Sequence, residues 1–93
     1  MDVLNLIETL NSAHGPSGDE GGIRAAIMEL AAPYVDEMTV DTMGNLIAHK
    51  KGEGAKVLFA AHMDSIGFIV THIEKEGYLR VGRLGGISPK EAA

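Results

Sequence analysis

The 93-residue sequence contains no cysteine. That removes a disulfide framework and any cysteine-based zinc site. It also fits a reducing compartment, and a cytoplasmic location is expected. No apolar run approaches the roughly 20 residues needed to cross a bilayer. The start, MDVLNLIETLNSAHG, lacks basic residues and is interrupted by Asn5, Glu8 and Thr9. It therefore does not read as a secretory signal. Basic residues are outnumbered 8 to 13 by acidic ones, for a net charge of −5. They are scattered apart from Lys50-Lys51, which argues against nucleic acid or an anionic membrane as a partner. The aromatics Tyr34, Phe59, Phe68 and Tyr78 form no basic-flanked stacking platform for single strands.

What is present suits one small globular domain or part of a larger one: 45% hydrophobic and 23% charged residues. A chain this short buries roughly 60–65% of its unfolded surface, so modest stability is expected. Val3, Leu6, Ile7 and Leu10 recur at i, i+3, i+4 and i+7, predicting an amphipathic helix over about Asp2 to Ala13. His14-Gly15-Pro16-Ser17-Gly18 breaks it. Ser17 and Glu20 have capping-box spacing, so a second helix is expected from there. Its core face would be Ile23, Ala26, Ile27, Leu30 and Ala31, with Gly21 and Gly22 weakening the first turns and Pro33 ending it.

From Asp36 the period becomes two. Met38 and Val40 alternate with Thr39 and Asp41, which predicts a half-buried strand. Met43-Gly44-Asn45 reads as a turn, Leu46–Lys50 as the returning strand and Lys51–Ala55 as a hairpin tip. Val57–Ala61 is apolar without alternation, the pattern of a central strand covered on both faces. Ile66–Ile73 and Tyr78–Val81 read as two more strands, joined at Glu74–Gly77, with the sheet signal ending at Gly85-Gly86. The order predicts an α/β or α+β fold.

The stretch VLFAAHMDS, residues 57–65, carries the main chemical question. In open α/β sheets, sites gather beyond the carboxyl ends of strands. His62 stands where the apolar run stops, and imidazole is a good ligand for zinc or cobalt. A carboxylate such as Asp64 often takes the other ring N–H of such a histidine. On spacing alone, a polar strand end followed by a turn-forming aspartate is the simpler account. His14 could be a ligand, or the segment around it could be helix punctuation, which is simpler. His49 and His72 read as surface-strand residues. Gly82–Gly86 lacks the following helix of a phosphate loop. Met28, Met38, Met43 and Met63 read as packing.

Taken together, LNSAHGPSGDEGGIRAAI, VDTMGNLIAHKKG and VLFAAHMDSIGFIVTHIEKEGYLRVGRLGG resemble one family, in its order and at about its spacing. It is the dinuclear-metal aminopeptidases: the glutamyl and deblocking aminopeptidases, the tetrahedral self-assembling peptidases and proteins once called endoglucanase M. The resemblance implies an α/β fold with two N-terminal helices and a mixed sheet. These would form part of a metallopeptidase, phosphorylase/hydrolase-like domain. Residues 1–65 would belong to that catalytic domain. Residues 66–93 would begin an inserted β-rich domain used in oligomer formation.

The resemblance also implies residue roles. His62 would be a ligand of one of two divalent ions, zinc or cobalt. Asp64 would be the catalytic-site carboxylate that holds the His62 imidazole. The family often has glutamate after that aspartate, where this chain has Ser65, a departure that bears on metal tuning or substrate preference. The implied reaction is removal of N-terminal residues from peptides, with a glutamate beyond these residues as general base. The bridging aspartate and remaining ligands of the family also lie downstream. The expectation is therefore an aminopeptidase portion that is inactive alone and binds metal weakly or not at all, with peptide substrate and a homo-oligomer belonging to the intact parent. The alternative is a truncated, non-catalytic module that self-associates through its β segment.

Overall fold

The computed structural model describes residues 2–88. Along the chain lie α1 (Val3–Ser12), α2 (Gly21–Ala31), a 3-10 turn (Ala32–Tyr34), β1 (Glu37–Val40), β2 (Leu46–His49), β3 (Gly67–Ile73) and β4 (Leu79–Leu84). The α/β class and the helix pair are as expected. The sheet content is two separate antiparallel hairpins, β1 with β2 and β3 with β4. None of the described helices is long and apolar enough to cross a membrane.

Helix α1 starts because Asp2 caps it: the carboxylate accepts the Leu4 N–H at 3.0 Å. Helix α2 starts differently from the capping box expected at Ser17. Its N-cap residue, Glu20, makes no side-chain cap. Instead the Glu20 carboxylate accepts the Gly18 N–H at 2.7 Å. The orphan Ile23 N–H is taken by the His14 carbonyl at 2.8 Å. That carbonyl fits because Gly22 has no side chain: a methyl there would stand 2.6 Å from the His14 oxygen. The α2 core face is as read from the periodicity, with Ile23 buried and Ala26, Ile27, Leu30 and Ala31 half-buried. The helix gives way at Ala31 to the 3-10 turn containing Pro33, whose missing N–H cannot continue the ladder.

The β1–β2 hairpin pairs Glu37 with His49 and Val40 with Leu46. Its turn depends on Gly44 at φ +86°, a conformation that side chains resist. The β3–β4 hairpin pairs Gly67 with Leu84 and Ile73 with Leu79, with a bulge between Val70 and His72. Glu74 N–H donates to the Tyr78 carbonyl at 2.8 Å across its turn.

Val57–Ala61 corrects the sequence reading. It forms no strand, and Val57, Leu58 and Phe59 are 75%, 89% and 92% exposed. A strand is made by its ladder partners, and none of the described residues supplies one. Lys51–Ala55 therefore closes no hairpin. The buried hydrophobics are Ile23 and Ile87 among the described residues. The accessible surface is 7896 Å², against about 5,200 Å² for a closed monomer of this mass. The radius of gyration is 17.2 Å, against about 12 Å for a compact chain of this length. These residues do not close a core over their own apolar surface.

Candidate active-site segment

The segment His62–Ser65 is pinned at its end by a knot of close contacts. Ser65 N–H donates to the Gly15 carbonyl at 2.8 Å. The Ser65 hydroxyl donates to the same oxygen at 3.3 Å. Pro16 and Ser65 form a parallel bridge. Gly15 itself is buried against α2, where a methyl would lie 2.3 Å from Ile23 Cγ2. The His14–Pro16 loop thus caps α2 with one carbonyl and holds Ser65 with the next. The Gly-Pro punctuation was legible in the sequence, but its attachment to a residue 50 positions away was not.

Within the pinned segment, His62 Nδ1 lies 3.1 Å from Asp64 Oδ1 and 3.1 Å from the Asp64 carbonyl oxygen. With its proton on Nδ1 the ring donates to both, and Nε2 is left with a lone pair. That is the tautomer a ligand histidine needs when it binds through Nε2. The His62 side chain is 86% exposed and that of Asp64 41%.

The pair lines a cavity of about 380 Å³ together with Glu20, Ile27, Met43 and Asn45. An adjoining hollow of about 250 Å³ shares His62 and Asp64 and is backed by Leu10, Ile23 and Ser65. Among the described residues no group of three or more histidine, cysteine, aspartate or glutamate side chains converges as a metal site. His62 fits as one nitrogen donor with its orienting carboxylate, and a two-metal site needs further ligands.

The other histidines are engaged elsewhere. His14 Nε2 lies 2.8 Å from Asp19 Oδ2, and His14 lines neither of these cavities. His49 stands 3.7 Å from Glu37, and His72 3.9 Å from Glu74. The Met43-Gly44-Asn45 turn read from the sequence also lines the larger cavity, and what sequence reading missed is that placement and the Asp41 carboxylate that holds the turn. The Asp41 carboxylate accepts Met43 N–H at 3.0 Å, Asn45 N–H at 2.8 Å and Asn45 Nδ2–H at 2.9 Å. The Asn45 side chain first, then its backbone N–H, hold the Asp41 carboxyl below its ordinary 3.8. An aspartate three residues before glycine was the available signal for such a turn.

Comparison with known proteins gives this arrangement its context. The family model described as M42 glutamyl aminopeptidase matches residues 44–93, more than half of the chain. The lysyl aminopeptidase of Pyrococcus furiosus is 45% identical over 86 residues, covering 91% of this chain and 25% of that protein. An aminopeptidase structure from Desulfurococcus kamchatkensis superposes with TM-score 0.86 at 40% identity, covering 92% of this chain and 24% of that one. The structure of PhTET1-12s, a dodecamer in its asymmetric unit, gives TM-score 0.82 at 36% identity, covering 95% and 27%. The chain spans about a quarter of the length of the curated relatives it matches. By the motif around His62, the family match and these superpositions, the chain belongs to the M42 glutamyl aminopeptidase family.

Proposed function

We propose that this chain is the N-terminal part of a metal-dependent aminopeptidase that removes N-terminal residues from peptides. The observation that carries the reading is the His62–Asp64 pair lining a cavity in a chain of this family. His62 would hold one of two divalent ions, zinc or cobalt, through Nε2. Asp64 would fix the imidazole's tautomer and orientation through Nδ1–H. When bound, the ions supply Lewis-acid polarisation of the scissile carbonyl. The cavity wall would receive the peptide's terminal residue and exclude water from it.

Residues 1–65 would contribute to the catalytic domain, and residues 66–93 would begin an inserted β-rich domain. The β3–β4 hairpin supports that division: Phe68, Ile69, Val70, Leu79 and Val81 are all about half exposed, so the hairpin awaits cover. A homo-oligomer acting in the cytoplasm on peptides, without nucleic acid or membrane, completes the proposal. The 93 residues alone would bind metal weakly and lack turnover, because His62 is a single ligand oriented by Asp64 and the pair supplies no general base.

The test uses the enzyme that carries this segment. His62→Ala should lose one equivalent of metal and most activity. Asp64→Asn should keep metal better than activity, with a loss of about 10–100-fold. Full activity in both variants would refute the assignment. Chelator-sensitive turnover by the pure 93-residue chain would refute its incompleteness.

A further inference from the structure

The cavity at His62 is bounded in part by the Met43-Gly44-Asn45 turn, and that turn is held in two separate ways. Asp41 holds its internal shape through the three bonds to Met43 and Asn45. Arg24, twenty residues earlier and on α2, holds its location: Nε–H donates to the Gly44 carbonyl at 3.0 Å in a partly buried contact. A methyl on Gly44 would stand 3.0 Å from the Arg24 guanidinium, so the two groups are in close apposition. Helix α2 reaches the other wall as well. Ile23, next to Arg24, packs on Gly15, and Gly15 holds Ser65 beside the His62–Asp64 pair.

We propose that Arg24 is a positioning residue: through the Gly44 carbonyl it sets the distance between the Met43–Asn45 wall and His62, and so the fit of the peptide's terminal residue. This rests on reading the cavity as the peptidase site. The Asp41 bonds do not depend on Arg24. Losing Arg24 therefore moves the wall without melting the turn. The consequence falls on substrate fit. A simple loss of folded protein would instead lower the amount of active enzyme and leave KM alone.

The experiment uses the metal-loaded enzyme carrying this segment and aminoacyl amides of increasing side-chain size. Arg24→Met should raise KM by about 3- to 10-fold, the worth of one hydrogen bond. Its kcat per metal-loaded enzyme should stay within about twofold. Arg24→Lys, which keeps a donor on a long stem, should restore at least about half of the KM change. If Arg24→Met folds poorly, Arg24→Leu, which likewise carries no donor, has the same expectation of raised KM at unchanged kcat. An unmoved KM, or a lysine variant no better than methionine, overturns the inference while the parent stays active. A parent with no aminopeptidase activity on the whole series overturns the functional reading, and this inference with it.

Discussion

Gly21 and Gly22 are adjacent in the first turn of α2 and have the same intrinsic helix propensity, yet alanine should act on them with opposite sign. At Gly21 a methyl meets nothing within 4 Å. The only consequence there is reduced freedom of the unfolded chain, a stabilisation of about 0.4–1 kcal/mol. At Gly22 the same gain is opposed by a methyl 2.6 Å from the His14 carbonyl oxygen. That oxygen is backbone and cannot rotate away. It also accepts the Ile23 N–H at 2.8 Å, and the neighbouring Gly15 carbonyl holds Ser65. Overpacking costs roughly 1–3 kcal/mol, and a lost cap bond about 0.5–1.5 kcal/mol. Gly22→Ala should therefore be destabilising by about 1–3 kcal/mol net. Urea unfolding followed by far-UV circular dichroism reads the difference between the two variants. Amide exchange at Ile23 and Ser65 should accelerate in Gly22→Ala alone. If both variants shift stability in the same direction, or Ser65 keeps its parental protection in Gly22→Ala, the loop does not hold the segment as described.

Acid should weaken the Asp41 turn. Its folded pKa lies below the ordinary 3.8, so its contribution is present above that value and is lost as pH falls through the lower folded one. Asp41→Asn should flatten this part of the acid limb, read from Asn45 amide shifts against pH, and an unchanged limb would contradict it. Gly44→Ala should destabilise by about 1–2 kcal/mol, because φ is +86° and a side chain there is strained. Tolerance in urea titration would show that the turn relaxes. The 93-residue chain should self-associate through residues from Ile66 onward, since Ile66, Phe68, Ile69, Val70, Ile73, Leu79 and Val81 are 46–67% exposed on or beside a lone hairpin. Sedimentation at micromolar concentration checks it, and a compact monomer that unfolds cooperatively would refute it.

What these residues specify locally was legible without a structure. The i, i+3, i+4, i+7 spacing of Val3, Leu6, Ile7 and Leu10 marks α1, and the spacing of Ile23, Ala26, Ile27 and Leu30 marks the inward face of α2. Gly44 and Gly77 mark the two hairpin turns, because only their backbones take positive φ there cheaply. The run AHMDS, with its flanking segments, marks the family. Each of these depends on neighbours within a few positions, which is the range that periodicity and turn chemistry encode. The rest was decided by residues far apart in the chain. Ser17 has the spacing of a cap, but the His14 carbonyl reaches the helix end because Gly22 leaves room for it. Val57–Ala61 has the composition of a buried strand, but composition supplies no ladder partner, and the described residues leave it exposed. Arg24 carries no local sign that it will bond Gly44. Nor does Gly15 show that it will hold Ser65. Caps, ladders and long-range hydrogen bonds depend on which groups arrive at bonding distance with their polar atoms unspent, and only the folded chain determines that.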